Sequence, residues 1–127
     1  MILIVTAAVV RRADRYLVTR RLHGTHLEGC WEFPGGKCEE GESHADALRR
    51  EIREELDADV TVGDRILTVS HDYPDRTVEL HFYACDLIGD PRPLLGQDLR
   101  WVRRDELRSL RFPPADQALI EKLASDG

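Results

Sequence analysis

A chain of 127 residues suits one folded domain, 1–127, with a core large enough to stand without disulfides or a structural metal. Its formal net charge of −6 argues against a surface built for polymeric nucleic acid, which needs a basic balance, while a small anion escorted by a cation stays compatible. The three cysteines Cys30, Cys38 and Cys85 are odd in number and lack zinc-ligand spacing, which sets aside a disulfide framework or a zinc module and fits a reducing cytoplasm.

The first element, Ile2 to Val10, is dense in β-branched residues and too short to span a bilayer. It has neither the basic flank nor the cleavage site of a leader, so it reads as a strand and no membrane partner is expected. Charged residues from Arg11 to Arg15 make a turn, and Tyr16 to Thr19 resumes as a second strand. Leu22 to Gly29 has no sustained periodicity and reads as a loop leading into a short extended segment, Cys30 to Phe33, which Pro34-Gly35-Gly36 then breaks. From Ser43 to Leu56 the apolar residues Ala45, Leu48, Ile52 and Leu56 recur every three or four positions. That spacing predicts a helix, entered through a capping box made by Ser43 and Asp46. Val60 to His71 and Thr77 to Leu87 read as strands around a turn at Tyr73 to Arg76, Leu99 to Val102 as another strand, and Pro114 or Ala115 to Leu123 as a second helix. With no repeat and no linker, this order suits an α+β fold in which a mixed β-sheet is sandwiched between α-helices.

The residues that carry chemistry run from Gly36 through Glu42 to Arg50-Glu51-Ile52-Arg53-Glu54-Glu55. On a helix Glu51, Glu54 and Glu55 stand at i, i+3 and i+4, so their carboxylates crowd one face beside the apolar stripe. Like charges at that spacing repel, and a divalent cation relieves the repulsion; oxygen-only ligands point to Mg²⁺ or Mn²⁺. Taken alone, a Glu-rich helix with interspersed arginines equally describes a solvated, salt-bridged face.

The whole pattern decides between them, because Gly36, Glu42, the Arg50-Glu51 pair and the Glu54-Glu55 pair together resemble the Nudix box, and Gly35-Gly36-Lys37 extends the likeness to the preceding loop. The chain is similar to the MutT-like branch of that family. The resemblance implies that Glu51, Glu54, Glu55 and the Gly36 carbonyl hold Mg²⁺, with Mn²⁺ as a substitute, and that Glu51 or Glu54 activates the attacking water. It implies further that Arg50 orients Glu51 or its neighbours and that Glu42 braces the loop at the helix start. Arg21 and Lys37 become phosphate contacts, although Arg21 by itself also suits a surface arginine. Two departures stand out. Asp57-Ala58 occupies the place of a glycine and a bulky aliphatic, and Leu95 precedes Gly96-Gln97 where relatives often carry an acid that serves as an extra metal ligand.

The resemblance also sets Asp116, in Phe112-Pro113-Pro114-Ala115-Asp116, against the edge of a base, with a simple helix cap as the alternative. As an acceptor, an ionised aspartate selects bases that offer N–H groups, such as cytosine and guanine. Phe33 and Arg76 are read as pocket walls, Phe33 equally as core. The implied activity is hydrolysis of a nucleoside triphosphate to monophosphate and pyrophosphate, with 8-oxo-dGTP, CTP, dCTP and 5-methyl-dCTP as candidate substrates, in a monomer or homodimer. The alternatives are a Nudix enzyme for another nucleoside diphosphate-linked substrate and a module that binds a nucleotide or base without cleaving it. Intact Glu51, Glu54 and Glu55 weigh against the second.

Overall fold

The computed structural model describes residues 1–125. Strand β1 (Ile2–Arg12) is the hub of a mixed sheet. It runs parallel to β6 (Arg76–Ile88), in register from Ile2↔Thr77 to Val10↔Cys85, and β6 in turn pairs antiparallel with β5 (Asp59–Tyr73). On its other side β1 meets β4 (Gly35–Lys37), and its last two residues turn back onto β2 (Arg15–Arg20). Strand β2 is flanked by β3 (Trp31–Glu32) and β7 (Leu99–Arg103).

A parallel pair at the centre of a sheet is covered on both faces and therefore reads as a continuous apolar run rather than an alternation. Residues 5–10 of β1 obey this, and the alternation survives only as a choice between two cores. Ala7 and Val9 join Tyr16, Val18 and the Leu119, Ile120 and Leu123 stripe of helix α2 (Gln117–Ser125). Ala8 and Val10 join Leu17 and the Leu48, Ile52 and Leu56 stripe of helix α1 (His44–Leu56). Two helices thus sandwich the sheet, as the element order predicts.

Three local readings change. Gly35 and Gly36, read with Pro34 as a break, lie in the strand Gly35–Lys37. A Cβ on Gly35 would lie 2.1 Å from the Thr6 carbonyl oxygen, so β4 approaches β1 as only glycine permits, a close approach that no local pattern announces. The capping box is half made: Ser43 Oγ accepts from the Asp46 N–H at 3.1 Å, but the Asp46 carboxylate pairs with Arg49 instead of reaching back. The second helix opens with a 3₁₀ turn, Pro114–Asp116, and an unanticipated 3₁₀ segment, Arg104–Ser109, follows β7. Asp57 ends α1 in the left-handed conformation at φ 53°, and its N–H donates to the Arg53 carbonyl at 3.1 Å, so aspartate fills the position where glycine is easier. Among the described residues no helix is long and apolar enough to cross a membrane.

Candidate active site

A cleft of about 490 Å³ opens on the side of the sheet where β4 leaves β1 and α1 passes behind it. The element that organises its rim is Arg50. Its Nε and Nη2 donate to the two carboxylate oxygens of Glu42 at 2.8 and 3.0 Å, its Nη1 to Glu51 at 2.9 Å and Glu54 at 3.4 Å, and Nη2 also to the Lys37 carbonyl at 3.0 Å. One guanidinium thus ties the glycine loop to the helix by charge-assisted bonds. Those bonds, with the Glu39 N–H at 3.0 Å, hold the Glu42 carboxyl at about 2, and the contact with Glu42 raises Arg50 further above its ordinary value.

The acidic face divides. Glu51 and Glu55 line the cleft, whereas Glu54 does not and leaves 60% of its side chain exposed beside Arg50. Glu54 and Glu55 are sequence neighbours, roughly 100° apart around the helix, so they leave it in different directions. Among the described residues no three acidic, histidine or cysteine side chains gather as a ready-made ion site. Burial raises Glu51 against the pull of Arg50, and burial, then Glu51 and Glu32, push Glu55 up to about 8.

This arrangement fits a divalent cation. Its donors are hard oxygens, Glu55, crowded by carboxylates, meets no basic side chain there among the described residues, and a Cβ on Gly36 would lie 2.5 to 2.7 Å from the Glu51 carboxylate, so only glycine leaves the space. The Gly36 carbonyl accepts from the Thr6 hydroxyl at 3.4 Å.

Asp116, 5% exposed, also lines the cleft. It sits inside the 3₁₀ turn, whose first residue is preceded by Pro113, and no side-chain cap is made there. Burial, then Glu32, push its carboxyl up to about 7, with Arg21 opposing. Glu32, a cleft residue that the sequence pattern did not single out, is likewise raised by burial while Arg21 lowers it. The only hint in the sequence was a glutamate held between Trp31 and Phe33, both buried. Arg21, expected at phosphate, is committed to Glu32 at 3.0 and 3.3 Å and to the His26 carbonyl, so its guanidinium braces the cleft wall. Lys37 lines the cleft from an exposed position. Phe33 is both core and wall: it stacks on Phe112 with ring centroids 5.5 Å apart and meets the Phe82 edge at 6.2 Å. Arg76 lines the cleft with a buried Nε that has no partner. Leu95, 54% exposed, stands on the cleft rim.

Comparison with known proteins places these features in context. A NUDIX domain profile matches residues 5–122. The 8-oxo-dGTP diphosphatase of Haemophilus influenzae is 32% identical over 96% of this chain and 91% of its own length. The CTP pyrophosphohydrolase of Escherichia coli is 35% identical over 92% of this chain and 87% of its own. Among solved structures, MutT from a study of Aliivibrio salmonicida and Vibrio cholerae superposes with a TM-score of 0.83 at 26% identity, covering 98% of both chains.

Proposed function

Because this chain belongs to the NUDIX domain family, we propose that it is a Mg²⁺-dependent hydrolase that cleaves nucleoside triphosphates to monophosphate and pyrophosphate. The observation that carries this reading is one cleft lined by Glu51, Glu55 and Gly36 together with the half-buried Glu32 and the buried Asp116, in a volume suited to one nucleotide.

A bound divalent cation supplies charge neutralisation for the phosphate bridge and lowers the pKa of an attacking water. Glu51, Glu54, Glu55 and the Gly36 carbonyl are the groups assigned to hold it, Mn²⁺ serving as a substitute. Lys37 faces the phosphates from the exposed rim. Glu51 is assigned as the base, since its carboxylate is directed by Arg50 and opens onto the cleft. Arg50 and Glu42 act by fixing the loop against the helix and never need to touch substrate. For the base, the Asp116 carboxyl, pushed up to about 7, offers an O–H as well as an acceptor oxygen near neutral pH, so Asp116, with Glu32 also lining the cleft, suits a base edge of mixed donors and acceptors. Guanine-type and cytosine-type bases, including 8-oxo-dGTP, CTP, dCTP and 5-methyl-dCTP, are the candidates, with Phe33 and Arg76 as walls.

The test is pyrophosphate release from a panel of nucleoside triphosphates with Mg²⁺, run beside Glu51→Gln. Pyrophosphate as first product, lost in the variant, supports the reading. Orthophosphate as first product sinks it, and tight nucleotide binding without hydrolysis identifies a binding module instead.

A further inference from the structure

Helix α1 ends at Leu56, one residue after Glu55, and the carbonyls of a last helical turn have no partners within the helix. A helix end left so tends to fray, which would spoil the placement of any carboxylate it carries. Here the segment between β6 and β7 supplies the missing donors. The Arg92 N–H donates to the Leu56 carbonyl at 2.8 Å and the Leu94 N–H to the Glu55 carbonyl at 3.0 Å. A side chain adds the third contact: Gln97 Nε2 donates to that same Glu55 carbonyl at 3.3 Å.

Gln97 is only 8% exposed, and its other end is also used, because Oε1 accepts from the Leu95 N–H at 3.0 Å. One carboxamide therefore joins the backbone of Glu55 to the backbone of the cleft-rim residue Leu95. The task needs a donor and an acceptor on one uncharged side chain of this length, which glutamine has and an ionised glutamate or a methionine lacks. Both Gln97 and Leu95 line the cleft, so the fastening lies beside the site.

We infer that Gln97 is a positioning residue for Glu55, its carboxamide fixing the last turn of α1 and thereby the direction in which the Glu55 carboxylate enters the cleft. This rests on the reading that Glu55 holds the divalent cation. Groups that orient a metal ligand from behind typically change metal affinity roughly 10- to 100-fold when removed.

The experiment compares three variants of the full chain. Gln97→Met keeps the volume and removes both bonds. Glu55→Gln removes the ligand itself. Arg92→Ala breaks the loop's ion pair with Asp57 at 3.5 Å and leaves the carboxamide alone. Mn²⁺ affinity is measured by electron paramagnetic resonance without nucleotide, and kcat and KM are measured with saturating Mg²⁺. The inference expects Gln97→Met to weaken Mn²⁺ binding by about tenfold or more. It also expects kcat to fall with KM for the nucleotide nearly unchanged, and Arg92→Ala to resemble the parent in both. If Glu55→Gln loses Mn²⁺ affinity but Gln97→Met does not, the positioning role is wrong and the metal-site reading stands. If Glu55→Gln keeps full affinity, the metal-site reading fails and this inference with it. Should Gln97→Met not fold, Gln97→Asn, shorter by one methylene, is held to the same expectations.

Discussion

The Glu51 carboxylate occupies the space that a side chain on Gly36 would need: all three of its terminal atoms lie 2.5 to 2.7 Å from a Cβ built there. Glu51 cannot simply swing away, since Arg50 holds it at 2.9 Å. Gly36→Ala is therefore expected to displace the carboxylate while sparing the fold, because the atoms met are the end of a side chain and not backbone. The concentration of Mg²⁺ giving half-maximal activity should rise about tenfold or more, with only a small change in thermal midpoint. A Mg²⁺ titration beside a thermal melt checks this; an unchanged Mg²⁺ requirement refutes it.

The divided acidic face separates two glutamates that the sequence treats alike. Glu54→Gln and Glu55→Gln should each lower turnover by at least about a hundredfold, as expected for groups used chiefly in the transition state. Their effects on the metal-free protein should differ. Glu55 is half-buried beside other carboxylates and Glu54 is exposed, so near pH 8 Glu55→Gln should raise the melting temperature and Glu54→Gln should leave it unmoved. Melting both variants in a chelator decides the matter.

The same burial makes stability depend on pH in a definite direction. The Glu55 carboxyl rises from its ordinary 4.5 to about 8 in the folded chain, and Asp116 from 3.8 to about 7. The folded state then binds more protons than the unfolded one across that window. Its stability is fully present below the ordinary values and is lost as pH climbs toward the raised ones. A cation neutralising Glu55 offsets the loss. Thermal stabilisation by Mg²⁺ over chelator should accordingly be larger near about pH 8 than near about pH 5.5. Equal stabilisation at the two pH values would refute this account.

Asp116 lies in the 3₁₀ turn that opens α2, so its test reads selectivity with thermal stability measured alongside. Asp116→Ala should cost about 1 to 3 kcal/mol in kcat/KM for guanine-type and cytosine-type nucleotides, and little for dTTP. Asp116→Asn, which keeps a donor and an acceptor but does not titrate, should flatten any change in base preference between about pH 6 and pH 8. Equal losses for every base in both variants would leave Asp116 a structural residue.

Helix α1 was legible because its signals are local. The three-and-four spacing of Leu48, Ile52 and Leu56, the Ser43 cap and the distances from Gly36 through Glu42 to Glu55 are all encoded within 21 consecutive positions. The strands were legible for the same reason, with boundaries shifted by a few residues where β5 and β6 extend each other to the Pro74-Asp75 turn. The roles of Glu32, Arg21 and Gln97 were not legible. Glu32 lies on a two-residue strand whose own pattern says only that a polar residue separates two aromatics, and Arg21 reads as free until Glu32 is set beside it.

What the sequence alone determined is the set of chemical groups and the helix that carries most of them, since periodicity and motif spacing depend on bonds between near neighbours. What the tertiary structure decided is which of those groups share a cleft and in what state of charge. Glu55 is raised by Glu32, 23 positions away in the chain, and is fastened through its carbonyl by Gln97, 42 positions away. Burial and Coulomb interaction depend on distance in space, which only the folded chain sets, as in the approach of β4 to β1, where a Cβ on Gly35 would lie 2.1 Å from the Thr6 carbonyl oxygen.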